Sequence, residues 1–361
     1  MSNLTPQPGI LEISPYVGGS SALPGQTNVT KLSSNENPYG PSPKAVEAAH
    51  RAVLDMHRYP STDHAELRGA IARTHGLRSE QIICGAGSDE VFTFLCQSYA
   101  GPGGEVIVTE HGFSMHRICA LAAGASVVTV PEKNRVVDVD VILEAVGPRT
   151  QLVFIANPGN PTATLLSMDE MARLANSLPD NVLLVLDGAY VEFAPGYDGG
   201  AALVHERPNV VMTRTFSKLY GLGGMRIGWG YASAEVIDIL NRVRGPFNLS
   251  KPALAAAEAA LDDMAHIERS LSENARLRDW ITAALRDLGL GVDTSFGNYV
   301  LVRFESEDAA SKCYEALAEN GLITRKVGGY GFPDALRITI GDEASCRQVT
   351  HSVSRFLQGV A

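Results

Sequence analysis

The sequence predicts an α/β protein, with a mainly parallel central sheet between helices in a large unit and a smaller α+β unit beside it. Three observations carry that prediction. Short apolar, β-branched runs bounded by Gly, Pro or Asp recur between helical stretches from Gln81 to about Tyr231. Such runs suit strands buried on both faces, and their alternation with helices implies βαβ units. After about Gly245 the rhythm changes to long helices followed by strand, helix, strand, the pattern of an α+β unit. Finally, 361 residues are enough for one large or two ordinary domains, each with a substantial core.

The elements follow in order. Residues 1–43 are rich in Pro, Gly, Ser and Asn and read as an extended arm. Helical patterning begins after Pro43, over Ala45–Leu54, and returns over Ala65–Thr74. Strands are predicted at Ile82–Cys84, Glu105–Thr109, Ala125–Val130, Leu152–Ala156, Val182–Leu186 and Val210–Thr213, with Ile227–Tyr231 a further candidate. Val91–Tyr99 reads as a helix. An Ala-rich helix from Pro252 to about Met264 leads into another from about Glu273 to Leu288. Tyr299–Phe304 and Leu336–Ile340 read as strands around a helix near Ala309–Glu319. The expected organisation is an arm at 1–43 that completes the small domain, a large domain at 44–245 and a small C-terminal domain at 246–361.

Composition narrows the function classes. Hydrophobic residues are 45% and charged residues 19%, a globular balance. Lys and Arg total 30 against 40 Asp and Glu, a formal net charge of −10. That argues against a broad footprint for nucleic acid or an anionic membrane and leaves room for a local basic pocket. No apolar run approaches the ~20 residues of a membrane span. Met1–Gly9 is polar and lacks the pattern of a secretory signal. Cys84, Cys96, Cys119, Cys313 and Cys346 are odd in number and scattered. They read as reduced, mostly buried thiols of a cytoplasmic protein, with neither a disulfide framework nor a metal site expected.

The chemistry lies in a series of polar sites, most at predicted strand ends, where open parallel sheets bind ligands. Gly85-Ala-Gly87-Ser88-Asp89-Glu90 joins a strand to a helix. Glycines there let backbone N–H groups meet an anion, or the segment is a plain capped turn. Asn157-Pro-Gly-Asn160-Pro-Thr162 is a rigid loop that can aim the Asn160 amide. Asp187 ends a buried strand, with Tyr190 three residues on. A carboxylate there needs a partner, such as a protonated ring nitrogen, a metal or an Arg, or it caps the next turn. Ser217-Lys218 follows another strand and precedes three glycines and Arg226. A lysine in that setting with a lowered pKa can form a Schiff base, and Arg226 can turn back to a phosphate. Arg337 interrupts the apolar strand Leu336–Ile340 and calls for an anion or a carboxylate, with Arg325 close enough in sequence to join it.

Together these motifs resemble a known family. Asn35-Glu-Asn37-Pro, Arg58-Tyr59-Pro, Gly-x-Gly-Ser-Asp-Glu, Asn-Pro-x-Asn-Pro-Thr, Asp187-x-Ala-Tyr190, Ser217-Lys-x-x-Gly-Leu-x-Gly-x-Arg226-x-Gly and Leu336-Arg-Ile-Thr-Ile-Gly stand in the order found in pyridoxal-phosphate enzymes of the aspartate-aminotransferase fold. The series, from about Tyr16 to Ile340, is similar to the histidinol-phosphate aminotransferase family in particular.

The resemblance implies a role for each matching position. Lys218 would hold pyridoxal 5'-phosphate covalently, Asp187 would pair with its pyridine nitrogen, and Asn160 and Tyr190 would bond its phenolic oxygen. Phe113, in His-Gly-Phe-Ser-Met-His, would stack on the ring. Gly87, Ser88, Asp89, Ser217 and Arg226 would hold the phosphate. Tyr59 would reach the phosphate in the partner subunit of a homodimer. Tyr16, Asn37, Arg325 and Arg337 would bind substrate, with 2-oxoglutarate as the expected amino acceptor. Departures from the family's motifs are Ala163 for the usual Gly, Gly188 for Glu, His111-Gly112 for Pro-Thr and Asp342 for Thr. An aromatic-amino-acid aminotransferase and an amino-acid-phosphate decarboxylase use the same frame and stay open as alternatives. A non-catalytic relative would not need Lys218, Asp187, Tyr190 and Arg226 together.

Overall fold

The computed structural model describes residues 4–359. The N-terminal segment is irregular apart from a 3-10 turn at Ile10–Glu12 and strand β1, Thr30–Lys31. Helix α1, Pro43–Val53, begins where its residues dictate. Ser42 Oγ accepts from Lys44 N at 3.1 Å, and Pro43 fills a first-turn position that needs no N–H. Helix α2, Ala65–His75, ends at Gly76, which adopts the left-handed φ of +67° that a C-terminal cap requires.

The alternating region follows. It runs β2 (Ile82–Gly85), α3 (Ser88–Tyr99), β3 (Glu105–Thr109), α4 (Ser114–Ala122) and β4 (Ser126–Val130). A hairpin, β5 (Glu132–Lys133) and β6 (Val136–Val137), and helix α5 (Val139–Ala145) lead to β7 (Thr150–Ala156). Then come α6 (Met168–Ser177), β8 (Leu183–Asp187), α7 (Ala201–Glu206), β9 (Val210–Thr215), β10 (Gly228–Tyr231) and α8 (Ala234–Val243). Seven of these strands form one sheet in the order β2-β10-β9-β8-β7-β3-β4. All neighbours pair parallel except β10, which runs antiparallel to both β2 and β9. β7, β8 and β9 are buried almost throughout, which explains their unbroken apolar runs. Phe92, Phe154, Phe216, Trp229 and Tyr231 fill the space between sheet and helices and are fully buried. Ala156, Asp187 and Thr213 lie in neighbouring register, so the carboxyl ends of the central strands form one edge.

The rest of the chain holds α9 (Lys251–Leu261), α10 (Met264–Asp287), β11 (Gly291–Val292), β12 (Tyr299–Arg303), α11 (Glu307–Glu319), β13 (Leu322–Ile323), β14 (Arg325–Val327), β15 (Phe332–Thr339) and α12 (Glu343–Leu357). Four of the strands form a second sheet, β11-β12-β15-β14, antiparallel throughout. β1 pairs parallel with β13. Leu32 packs with Leu277, Val300 and Ile338 in the core of that half. The arm is therefore anchored where it passes the cavity described next.

Candidate active site

A cavity of about 410 Å³ lies at the carboxyl edge of the seven-stranded sheet, closed by the arm and by β14 and β15. It gathers most of the residues singled out in the sequence. Tyr16, Ser88, Asp89, Phe113, Asn160, Asp187, Tyr190, Ser217, Lys218, Arg226, Arg325 and Arg337 all line it.

Lys218 follows β9 and projects Nζ toward the arm, donating to Ser34 O at 3.0 Å. Protein surrounds it on every side but the cavity. Burial foremost, with Arg337 adding to it and Glu36 opposing, lowers its pKa to about 8. Asp187 ends β8 and is 4% exposed. Its Oδ1 accepts from Ala189 N at 3.1 Å, so it does cap the next turn. Its Oδ2 is 3.2 Å from Nε2 of His116, whose ring stacks on Phe154. A carboxylate only accepts, so Nε2 carries the proton. Tyr190 OH accepts from Asn35 Nδ2 at 2.9 Å. Burial raises the Tyr190 pKa, keeping the phenol neutral.

Arg337 and Arg325 are direct cross-strand partners on β15 and β14. Arg337 donates to Asn160 Oδ1 at 2.6 Å and Ser33 O at 2.8 Å, and Arg325 to Val17 O at 2.7 Å. Neither is paired with a carboxylate among the described residues, and Arg337 Nε is buried without a partner. Like charges opposite each other repel, and an anion between or beside them would relieve that repulsion. A second set of groups able to meet an anion lies at the N-terminus of α3. Ser88 and Asp89 face the cavity there, and no side chain caps the first-turn N–H groups. Arg226 sits over that end, 3.2 Å from Asp89 Oδ1. Gly87, with φ +92°, passes beneath them, and a Cβ there would strike the Asp89 and Arg226 side chains.

Three expected residues do not line the cavity: Gly87, which passes beneath its edge, Asn37 and Tyr59. Nδ2 of Asn37 donates to Leu219 O at 2.6 Å and Ser270 Oγ at 3.1 Å, and its Oδ1 accepts from Tyr39 N, so its polar atoms are occupied within the fold. Asn35, two residues earlier in the same motif, faces the cavity instead. Tyr59 lies apart, 79% exposed and stacked on Phe247 with ring centroids 4.4 Å apart. The sequence reading also missed His116. Its spacing of three from Phe113 puts both on one side of the first turn of α4, and that is the signal that could have found it.

The donor set fits pyridoxal phosphate. A buried amine, a buried carboxylate behind it, an uncapped helix end with Arg226, and a phenol with an amide match the aldehyde, ring nitrogen, phosphate and phenolic oxygen of that group.

A family model described as aminotransferase class I and II matches residues 27–353. The chain belongs to that family. A histidinol-phosphate aminotransferase of Ruegeria sp. (strain TM1040) is 58% identical over 361 residues, covering 100% of each chain. One of Paracoccus denitrificans is 56% identical, covering 99% of this chain and 97% of the other. The crystal structure of the Sinorhizobium meliloti histidinol-phosphate aminotransferase, in complex with pyridoxal-5'-phosphate, superposes with a TM-score of 0.90 at 28% identity. It covers 100% of this chain and 99% of that one.

As a class I and II aminotransferase, the chain carries its motif departures in specific ways. Ala163 takes the left-handed φ of +60° with its methyl buried. A Cβ at Gly188 would sit 2.8 Å from Thr213 O, so glycine lets the turn after Asp187 press against β9. Asp342 caps α12 by accepting from Ser345 N at 2.8 Å. None of the three displaces a cavity residue.

Proposed function

We propose that this aminotransferase takes L-histidinol phosphate as amino donor and 2-oxoglutarate as acceptor, uses pyridoxal 5'-phosphate, and works as a homodimer in the cytoplasm. The observation that carries the reading is Lys218 Nζ, with a pKa of about 8, sharing one cavity with Asp187 and the opposed Arg325 and Arg337. Relatives 56–58% identical over nearly the whole chain carry the histidinol-phosphate aminotransferase name, which favours this donor over the aromatic amino acids.

When bound, pyridoxal phosphate supplies an electron sink for the bonds at the substrate Cα and carries the amino group between the two half-reactions. The chain's own residues do the rest. Lys218 would hold the cofactor through its aldehyde. When not so engaged, its Nζ would serve as the base and acid that moves the substrate Cα proton. Its lowered pKa keeps part of it neutral near pH 8, as a base requires. Asp187 keeps the ring nitrogen protonated, and His116 keeps Asp187 aimed. Asn160 and Tyr190 hold the phenolic oxygen, and Phe113 packs on the ring. Ser88, Ser217, Arg226 and the backbone N–H groups at Gly87–Asp89 hold the cofactor phosphate, with Asp89 anchoring Arg226. Tyr16, Arg325 and Arg337 take the anionic end, phosphate in the donor and carboxylate in the acceptor.

Exposed Tyr59, Leu54, Met56 and Phe247 form an apolar surface suited to cover by a second copy, from which Tyr59 reaches the other subunit's site. Five buried free cysteines suit a reducing compartment. Borohydride reduction of the yellow holoenzyme followed by peptide mapping tests the assignment. The label is expected on Lys218, and a label on another lysine or none would remove Lys218 from its role.

A further inference from the structure

His111 follows the carboxyl end of β3 and lies outside the cavity wall. Its Nδ1 is 2.7 Å from the carbonyl oxygen of Tyr330. A carbonyl only accepts, so Nδ1 carries the proton. The imidazole also lies against the Phe332 ring, with centroids 4.1 Å apart. Gly331 passes between them with φ +86°, and a Cβ there would come within 3.0 Å of His111 Cε1. His111 thus meets Tyr330 and Gly331 of the β14–β15 connection and Phe332 at the start of β15, from the side of the other sheet.

That connection reads Gly328-Gly329-Tyr330-Gly331 and joins the strands bearing Arg325 and Arg337. Glycines lose the most backbone freedom on ordering, so the segment depends on outside contacts to hold one shape. Its one large side chain, Tyr330, lines the same cavity as Lys218. The Tyr330 hydroxyl is 3.4 Å from Ser114 Oγ, next in the chain to Phe113. Burial raises the pKa of the Tyr16 phenol, and the nearby Tyr330 phenol raises it further. Tyr330 therefore stands among the residues assigned to the substrate end, and its flat face suits a planar ring on the donor.

We propose that His111 is a positioning residue. Its hydrogen bond to the Tyr330 carbonyl, with its packing on Phe332, holds the glycine-flanked loop so that Tyr330 walls the substrate end of the cavity. The kinetic consequence rests on the function proposed above, and the contact itself does not. The test compares holoenzymes of wild type, His111→Ala, His111→Phe and His111→Asn. Phe keeps a ring against Phe332 without a donor and guards against a misfolded Ala variant. Asn keeps an N–H near the place of Nδ1.

Amide exchange at residues 328–332 should be about tenfold faster in the Ala and Phe variants and near wild type in Asn. KM for histidinol phosphate should rise about fivefold in Ala and Phe with kcat little changed, and return in Asn. Wild-type exchange in the Ala and Phe variants, or a raised KM without faster exchange, would overturn the positioning role. A fall in kcat at constant KM would overturn it too. The wild type's own amino transfer judges the proposed function separately, and the exchange comparison decides the His111 contact whatever that result.

Discussion

Lys218 and Asp187 owe their chemistry to where their strands end. The chain has seven lysines, and this one is enclosed beside two arginines, so its proton is held more weakly than the ordinary value of 10.5. Folded pKa about 8 lies below the unfolded value, so neutral amine is scarce at pH 7 and accumulates as pH rises through 8. Uptake of pyridoxal phosphate by cofactor-free protein should therefore accelerate about tenfold per pH unit below 8 and level off above it. Stopped-flow absorbance measures this, and a rise continuing past pH 10 would contradict the lowered pKa. Both residues were legible in the sequence because each stands at or just beyond the end of a buried apolar strand, where a charge needs a partner. Asn35 was not, since its motif offers two asparagines and only the fold turns one to Tyr190 and the other to Leu219.

At the scale of elements, β7, β8 and β9 of the large sheet were legible because double burial gives them nearly continuous apolar runs. β9 and β7 extend two residues beyond the expected spans, at Thr215 and Thr150 respectively, because polar threonines continue the ladder. Helix α10 begins at Met264, well before the expected Glu273. Its buried face carries Ser270, Asn274, Arg278 and Thr282 besides its apolar residues, which hides the helical period. Arg278 there donates to Phe193 O and Asn274 to Gly297 O, so polar contacts replace the apolar stripe. The turn after β8 supplies a prediction. Gly188→Ala sets a methyl 2.8 Å from Thr213 O, against backbone that cannot swing away. Stability should fall by about 1–3 kcal/mol in urea denaturation, with weaker cofactor retention. An unchanged midpoint would contradict the close approach.

For the whole molecule, the arm, the seven-stranded sheet and the four-stranded sheet each give residues to one cavity, from Tyr16 through Lys218 to Arg337. That convergence was legible only through motif order, because the residues are far apart in sequence and no local pattern unites them. The exposed stack of Tyr59 on Phe247 would be covered by a second copy in the proposed homodimer. Sedimentation should give twice the chain mass of 38.5 kDa. In mixed dimers a Tyr59→Phe defect should fall on the neighbour's site, and a monomer of full activity would contradict the shared-site account. A net charge of −10 does not oppose anionic substrates, because Arg226, Arg325 and Arg337 face the cavity. The central claim is the substrate, and one side-by-side measurement tests it: kcat/KM for histidinol phosphate, tyrosine and phenylalanine with 2-oxoglutarate. The account predicts that glutamate forms with histidinol phosphate at the highest kcat/KM of the three. A higher value for either aromatic amino acid, or no glutamate from histidinol phosphate, would contradict it.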